Sequence, residues 1–142
     1  MKTVTICFKG ENAYNEALAF MHEFAGKLEN DLPRRKRRIF CCYNQERAGK
    51  KDFWCKVYIE VKDECEIKDD RLRYEVFEGG QYAYEEVEWK NNGKRWYRFI
   101  DWVKMSKKYD FDNRPFMEEF IIDSPVLKPT ARVKHYMPVK NK

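Results

Sequence analysis

Slid over itself by 78 residues without a gap, the chain lays one amphipathic helical stretch on another, with Leu18 over Trp96, Met21 over Phe99 and Phe24 over Trp102. The same shift puts Ile39–Tyr43 over Met117–Ile121, and Tyr58 and Val61 over Tyr136 and Val139. Identities are few (Lys56/Lys134, Tyr58/Tyr136, Val61/Val139), so what repeats is the pattern rather than the residues. Two helices and matched strand pairs at one offset predict a duplicated β-α-β-β unit. That is an α+β fold with an antiparallel sheet and pseudo-twofold symmetry. A chain of 142 residues accommodates both copies in one domain, at about residues 1–62 and 72–140.

In the first copy, Val4, Ile6 and Phe8 alternate along a strand over 2–8. Lys9-Gly10-Glu11-Asn12 breaks it, and Asn12 suits a helix N-cap. Tyr14, Ala17, Leu18, Met21, Phe24, Ala25 and Leu28 then recur at three- and four-residue steps, which predicts a helix over 14–28. Strands over 39–43 and 53–61 follow, and the charge-rich stretch Lys62–Arg71 divides the halves. Leu72–Val87 reads as one alternating strand bent at Gly79-Gly80. A second helix over 94–107, a strand over 115–122 and a last strand over 131–139 complete the chain.

Within the 115–122 strand two acids adjoin. Alternation puts Glu118 on the face of Phe116, Phe120 and Ile122. An acid on an aromatic face is costly without a hydrogen bond, a cation or a water-filled cavity; the alternative is an edge strand with both acids in solvent. In the 78-residue register Glu118 stands where the first copy has Phe40, so the symmetry breaks at an acid. That marks Glu118 as the candidate ligand-binding residue. Phe116, Trp54, Trp89, Tyr97, Trp102 and Tyr136 are its candidate walls. A carboxylate ringed by aromatic faces suits an organic cation, each desolvated face adding about 0.5–2 kcal/mol.

Other classes find less support. Charged residues at 37% and the lack of a long apolar run argue against a membrane protein, and no signal-peptide pattern is present. Five cysteines at irregular spacing form no zinc pattern, so reduced, buried thiols in a cytoplasmic protein are expected. No metal, cofactor or catalytic residue is indicated, and no His, Cys or Ser stands as a nucleophile beside a base, which favours a binding protein over an enzyme. The net charge of +5 rests on Arg34–Arg38, read as a solvated loop. No recognition helix or zinc finger accompanies it, so a nucleic-acid partner is not expected.

Gly80-Gln81-Tyr82-Ala83, the run Glu118-Glu119-Phe120-Ile121-Ile122-Asp123-Ser124-Pro125 and the closing Tyr136-Met137-Pro138-Val139-Lys140 are joined by Phe8-Lys9-Gly10, Tyr14 and Glu16 earlier in the chain. In order and spacing these motifs resemble the gyrase-inhibitor-like family, the effector-binding domains that also occur at the C-terminus of AraC-type and MerR-type multidrug regulators. Phe120 replaces the family's usual Tyr, one extra residue precedes Pro125, and Trp89-Lys90 lacks the family's Gly-Pro. The resemblance implies two β-α-β-β repeats with a ligand groove between them and an acid, Glu118, at its floor. It further implies a stand-alone bacterial or mobile-cassette module that senses or sequesters lipophilic, cationic compounds, linked to transcription regulation. Some relatives hydrolyse strained, electrophilic natural products, for which Glu118 and Tyr136 would serve as base and donor. A third possibility is an inhibitor of a protein partner such as a topoisomerase, with Lys62–Arg71 as its surface.

Overall fold

The structure is a computed structural model that describes residues 1–31, 38–61, 69–120 and 129–142, with the backbone alone at 25–31. Arg34–Arg37, Cys65, most of the Lys62–Arg71 stretch and the Ile121–Pro125 end of the acidic motif lie outside the described residues. The first half runs β1 (Lys2–Lys9), α1 (Ala13–Asp31), β2 (Ile39–Tyr43) and β3 (Trp54–Glu60). After β4 (Arg73–Val76), the second half runs β5 (Tyr82–Glu88), α2 (Asn92–Met105), β6 (Tyr109–Phe111), β7 (Phe116–Phe120) and β8 (Arg132–Asn141). The fold is α+β, an antiparallel sheet in the order β4-β1-β3-β2-β7-β8-β5, with β6 paired to β8. The run β1-β3-β2 is mirrored by β5-β8-β7, so β2 and β7 meet at the centre.

Both helices cover one face of this sheet. On α1, Ala13, Ala17, Phe20, Met21 and Phe24 recur at helical spacing and bury against β1 and β3. On α2, Trp96, Phe99 and Val103 do the same against the second half. Strand residues such as Val4, Val57, Ile59, Val133 and Met137 complete this core. Among the described residues no helix is long and apolar enough to cross a membrane.

The second face is not left to solvent. Phe40, Cys42 and Met117 are buried there, beneath Trp54, Tyr58, Phe77, Tyr82 and Tyr136. The cover comes from a correction to the expected single strand over 72–87. Arg73–Val76 pairs with β1 at one edge, while Tyr82–Glu88 pairs with β8 at the other, so the second unit begins at Tyr82 rather than 72. The segment between them crosses the back of the sheet and sets the Phe77 ring 5.3 Å from Phe40 and 5.4 Å from Tyr58. Gly80 has a φ of 143°, and a Cβ there would run into the Arg114 guanidinium, so this crossing requires glycine.

Strand pairing also corrects the repeat register. Thr5 pairs with Tyr58 as Tyr84 pairs with Tyr136, and Phe40 pairs with Tyr58 as Met117 pairs with Tyr136. The gapless offset of 78 therefore holds for β3 and β8, whereas β1 maps to β5 one residue further on and β2 to β7 one residue short. The buried helix positions follow β1: Ala17, Phe20 and Phe24 match Trp96, Phe99 and Val103. A one-residue slip in a strand reverses its faces. Phe40 accordingly corresponds to Met117, on the back face, and the counterpart of Glu118 is Cys41. These two residues pair directly, which places the pseudo-twofold between them.

The expectation of unpaired thiols is corrected as well. Cys41 and Cys55 form a disulfide across β2 and β3, with Cα atoms 6.5 Å apart. Cys7 and Cys42 are free, and burial pushes the Cys42 thiol up to about 12.

Candidate functional site

Glu118 lies on the helix face of β7, flanked by Cys41 on β2 and His135 on β8. It is 1% exposed. Four neutral donors hold its carboxylate. Tyr14 donates to Oε2 at 2.5 Å, and Oε1 accepts from the Trp96 indole at 2.6 Å, the Tyr43 hydroxyl at 2.8 Å and the Asn92 amide at 3.3 Å. Hydrogen bonds to a charged group contribute about 1.5–3 kcal/mol each, which is what offsets the burial of such an acid. Tyr14 and Asn92 belong to the first turns of α1 and α2, so the positive ends of both helix dipoles also meet at this carboxylate. Among the described residues no cation stands within ion-pair distance of it.

The walls of the cluster are aromatic. Trp96 stacks on Phe116 at 5.4 Å and on His135 at 4.0 Å with the rings 11° apart. Tyr43 stands edge-on to both Tyr14 and Trp96. Burial first, and then the charge of Glu118, raise both phenols well above their ordinary range, so Tyr14 and Tyr43 keep their protons. His135 is fully buried, and its Nε2 lies 2.6 Å from Asn92 Oδ1. Burial and the nearby Arg95 push its pKa down to about 3, leaving a neutral imidazole.

Glu119 points the other way but is also buried, at 7% exposure. On the back face Arg38 grips it through Nε at 2.7 Å and Nη2 at 3.2 Å, and Tyr136 donates to it at 2.8 Å. Burial works to raise the Glu119 pKa, yet these partners hold it below the ordinary value. Arg38, the last residue of the basic run, is thus tied to a buried acid.

Of the sequence-predicted walls, Phe116 lines the Glu118 cluster. Trp54 and Tyr136 belong to the back-face core, because β3 and β8 turn those positions away from the helices. Trp89 packs 6.0 Å from Phe120 beside the cluster. Tyr97 and Trp102 stand on the outer side of α2, 70% and 50% exposed. The partners that hold Glu118 were not singled out from the sequence. Tyr14, Tyr43 and Trp96 look like members of apolar stripes, and Asn92 looks like part of a helix break. Their signal is the register itself. The counterparts of Trp96, Asn92, His135 and Tyr43 are Ala17, Ala13, Val57 and Phe120, so the polar cluster occupies positions that are apolar in the other half.

No family description matches the chain, and no curated protein shows significant sequence similarity to it. Solved structures do share its fold. A conserved, uncharacterised protein from Listeria innocua matches with a TM-score of 0.57 at 12% identity, over 99% of this chain and 88% of that one. Two proteins named as hydrolases, both from Listeria innocua, match with TM-scores of 0.56 and 0.59 at 11% and 10% identity, over 99% of this chain and 87% of each. At these identities the likeness is one of fold alone.

Proposed function

We propose that the chain is a binding module for lipophilic, cationic small molecules, a sensor or sequestrant whose charge-recognising group is Glu118. One observation carries this reading: a fully buried carboxylate that, among the described residues, is held by neutral donors with no cation beside it, and that has indole and phenol rings around it. Such a site holds a negative charge with no paired cation among the described residues, in a low-dielectric setting where an organic cation gains most from charge and from aromatic faces. Tyr14 and Asn92 are the half-buried members of the donor set, so a ligand entering between the helix N-termini meets them first. The resemblance to gyrase-inhibitor-like effector-binding domains points to the same class of ligand.

A second reading, hydrolysis of strained electrophiles, has one specific support. Tyr14 and Tyr43 place two protonated phenols on a carboxylate, the pairing of acid and base that such a reaction needs. Two fold neighbours are also named as hydrolases. In this form the donor is Tyr14 or Tyr43, because Tyr136 sits on the opposite face of the sheet with Glu119.

Thermal shift with tetraphenylphosphonium against neutral triphenylphosphine oxide tests the binding reading. The cation should raise the midpoint, in line with about 2.7 kcal/mol of stabilisation at a hundred dissociation constants. Glu118→Gln should weaken the cation by about 1–3 kcal/mol and the neutral compound much less. Equal cation affinity in wild type and Glu118→Gln would overturn the assignment.

A further inference from the structure

Between α2 and the edge strand β5 lies a cavity of about 290 Å³, bounded by the aromatic residues Tyr84, Phe99 and Trp102 and the charged residues Glu85, Arg95 and Arg98. We propose that this cavity is a second small-molecule site, which takes a single-ring aromatic acid that also carries a hydrogen-bond donor. Its ligand is opposite in charge to the one proposed for Glu118, and the inference does not depend on that reading.

The acid follows from the charges. Arg95 is engaged with Glu85 at 2.7 Å. Arg98, exposed at the rim, makes no ion pair among the described residues, so the cavity carries one uncompensated positive charge suited to a carboxylate. The ring follows from size and lining. A volume near the lower bound of small-molecule pockets admits one aromatic ring, and half of the Trp102 surface is open beside Phe99, to which it stands edge-on.

The donor follows from an unfilled hydrogen bond. Glu85 Oε1 is buried without a partner, and so is its neighbour, His135 Nδ1, 3.7 Å away. The network dictates why they do not satisfy each other. Glu118 can only accept, so Asn92 turns its NH2 to Glu118 and its oxygen to His135 Nε2, which therefore carries the imidazole proton. Nδ1 then faces Glu85 as a lone pair, and two acceptors confront each other. Buried polar groups are nearly always paired, so this orphan oxygen calls for a donor from outside, which meets it once the Glu85 side chain, 24% exposed on the cavity lining, turns it outward. A phenolic hydroxyl on the ligand supplies it.

Titration calorimetry with three matched probes tests the proposal: 4-hydroxyphenylacetate (acid and donor), phenylacetate (acid only) and tyrosol (donor only). The first should bind most tightly, with each of the others weaker by about fivefold or more, the effect of one modest hydrogen bond or ion pair. Arg98→Gln, at an exposed position that folding does not depend on, should reduce 4-hydroxyphenylacetate to the level of tyrosol. Saturating tetraphenylphosphonium should not displace it. The proposal is overturned if none of the three binds, if Arg98→Gln leaves the acid unaffected, or if the cation competes with it.

Discussion

His135 should make the protein acid-sensitive at a higher pH than the carboxylates held below their ordinary values. In the folded state the imidazole resists protonation until about pH 3, against an ordinary value of 6.5. Unfolded, it takes up its proton near the ordinary value. Between those limits the unfolded state binds more protons, so stability is complete above pH 6.5 and is lost as pH falls. At about 1.4 kcal/mol per pH unit, this one group should remove about 2 kcal/mol between pH 7.5 and 5. Glu75, Asp52, Asp112 and Glu119 are all held below their ordinary values, and their contributions are lost mainly at lower pH. Urea unfolding followed by tryptophan fluorescence at pH 7.5 and 5 measures the effect, with Trp96 stacked on the imidazole as reporter. His135→Gln cannot titrate and should flatten the pH dependence, whatever it does to stability at neutral pH. An equal drop in wild type and variant would refute the reasoning and mean that His135 is charged, or solvated, in the folded protein.

Two further outcomes are expected. Tyr43→Phe removes a buried donor from Glu118 and should cost about 1.5–3 kcal/mol in urea unfolding; a neutral result would show that the carboxylate does not depend on its ring of donors. Mass spectrometry after alkylation of unreduced, denatured protein should find Cys41 linked to Cys55 and both Cys7 and Cys42 labelled. Adding reductant should then lower the unfolding midpoint, since closing a loop of this length stabilises by about 3 kcal/mol. Labelling of all four without reductant would contradict the disulfide.

Much of the frame was legible because hydrophobic period is a local property. The two helices, β2, β3 and β7 fall where the spacing of apolar residues puts them, and strand alternation alone sends Glu118 to the helix face with Phe116 and Phe120. What the pattern does not encode is which strand pairs with which. Arg73–Val76 and Tyr82–Glu88 share an alternation that looks continuous, yet they lie at opposite edges of the sheet. The crossing between them buries a second face, and this is why Glu119, Phe40 and Tyr136 are not solvent-facing. Trp54 and Tyr136 are candidate walls by residue type alone, and alternation along β8 sets Tyr136 on the face opposite Val133, Met137 and Val139, away from the helices.

The register carries the deeper consequence. A gapless offset sets Phe40 against Glu118, a large apolar residue against an acid, and suggests that a core position has been made polar. The pairing shows instead that Glu118 and Cys41 face each other across the pseudo-twofold, at the position where the two halves contribute side by side to one space. On one side of that axis the chain places Glu118, Asn92, Trp96 and His135; on the other, the matching positions are Cys41, Ala13, Ala17 and Val57. Ala13 and Ala17 are the small members of this set, and they lie on α1 directly in the core. The second half can therefore extend an indole and an amide towards the axis because the first half has withdrawn its own side chains. Tyr14 and Tyr43 are the exceptions, the two donors that the first half sends across to the acid of the second. A symmetric frame thus holds a single carboxylate with donors from both halves, and enlarging Ala17 should disturb that carboxylate as surely as removing one of its donors.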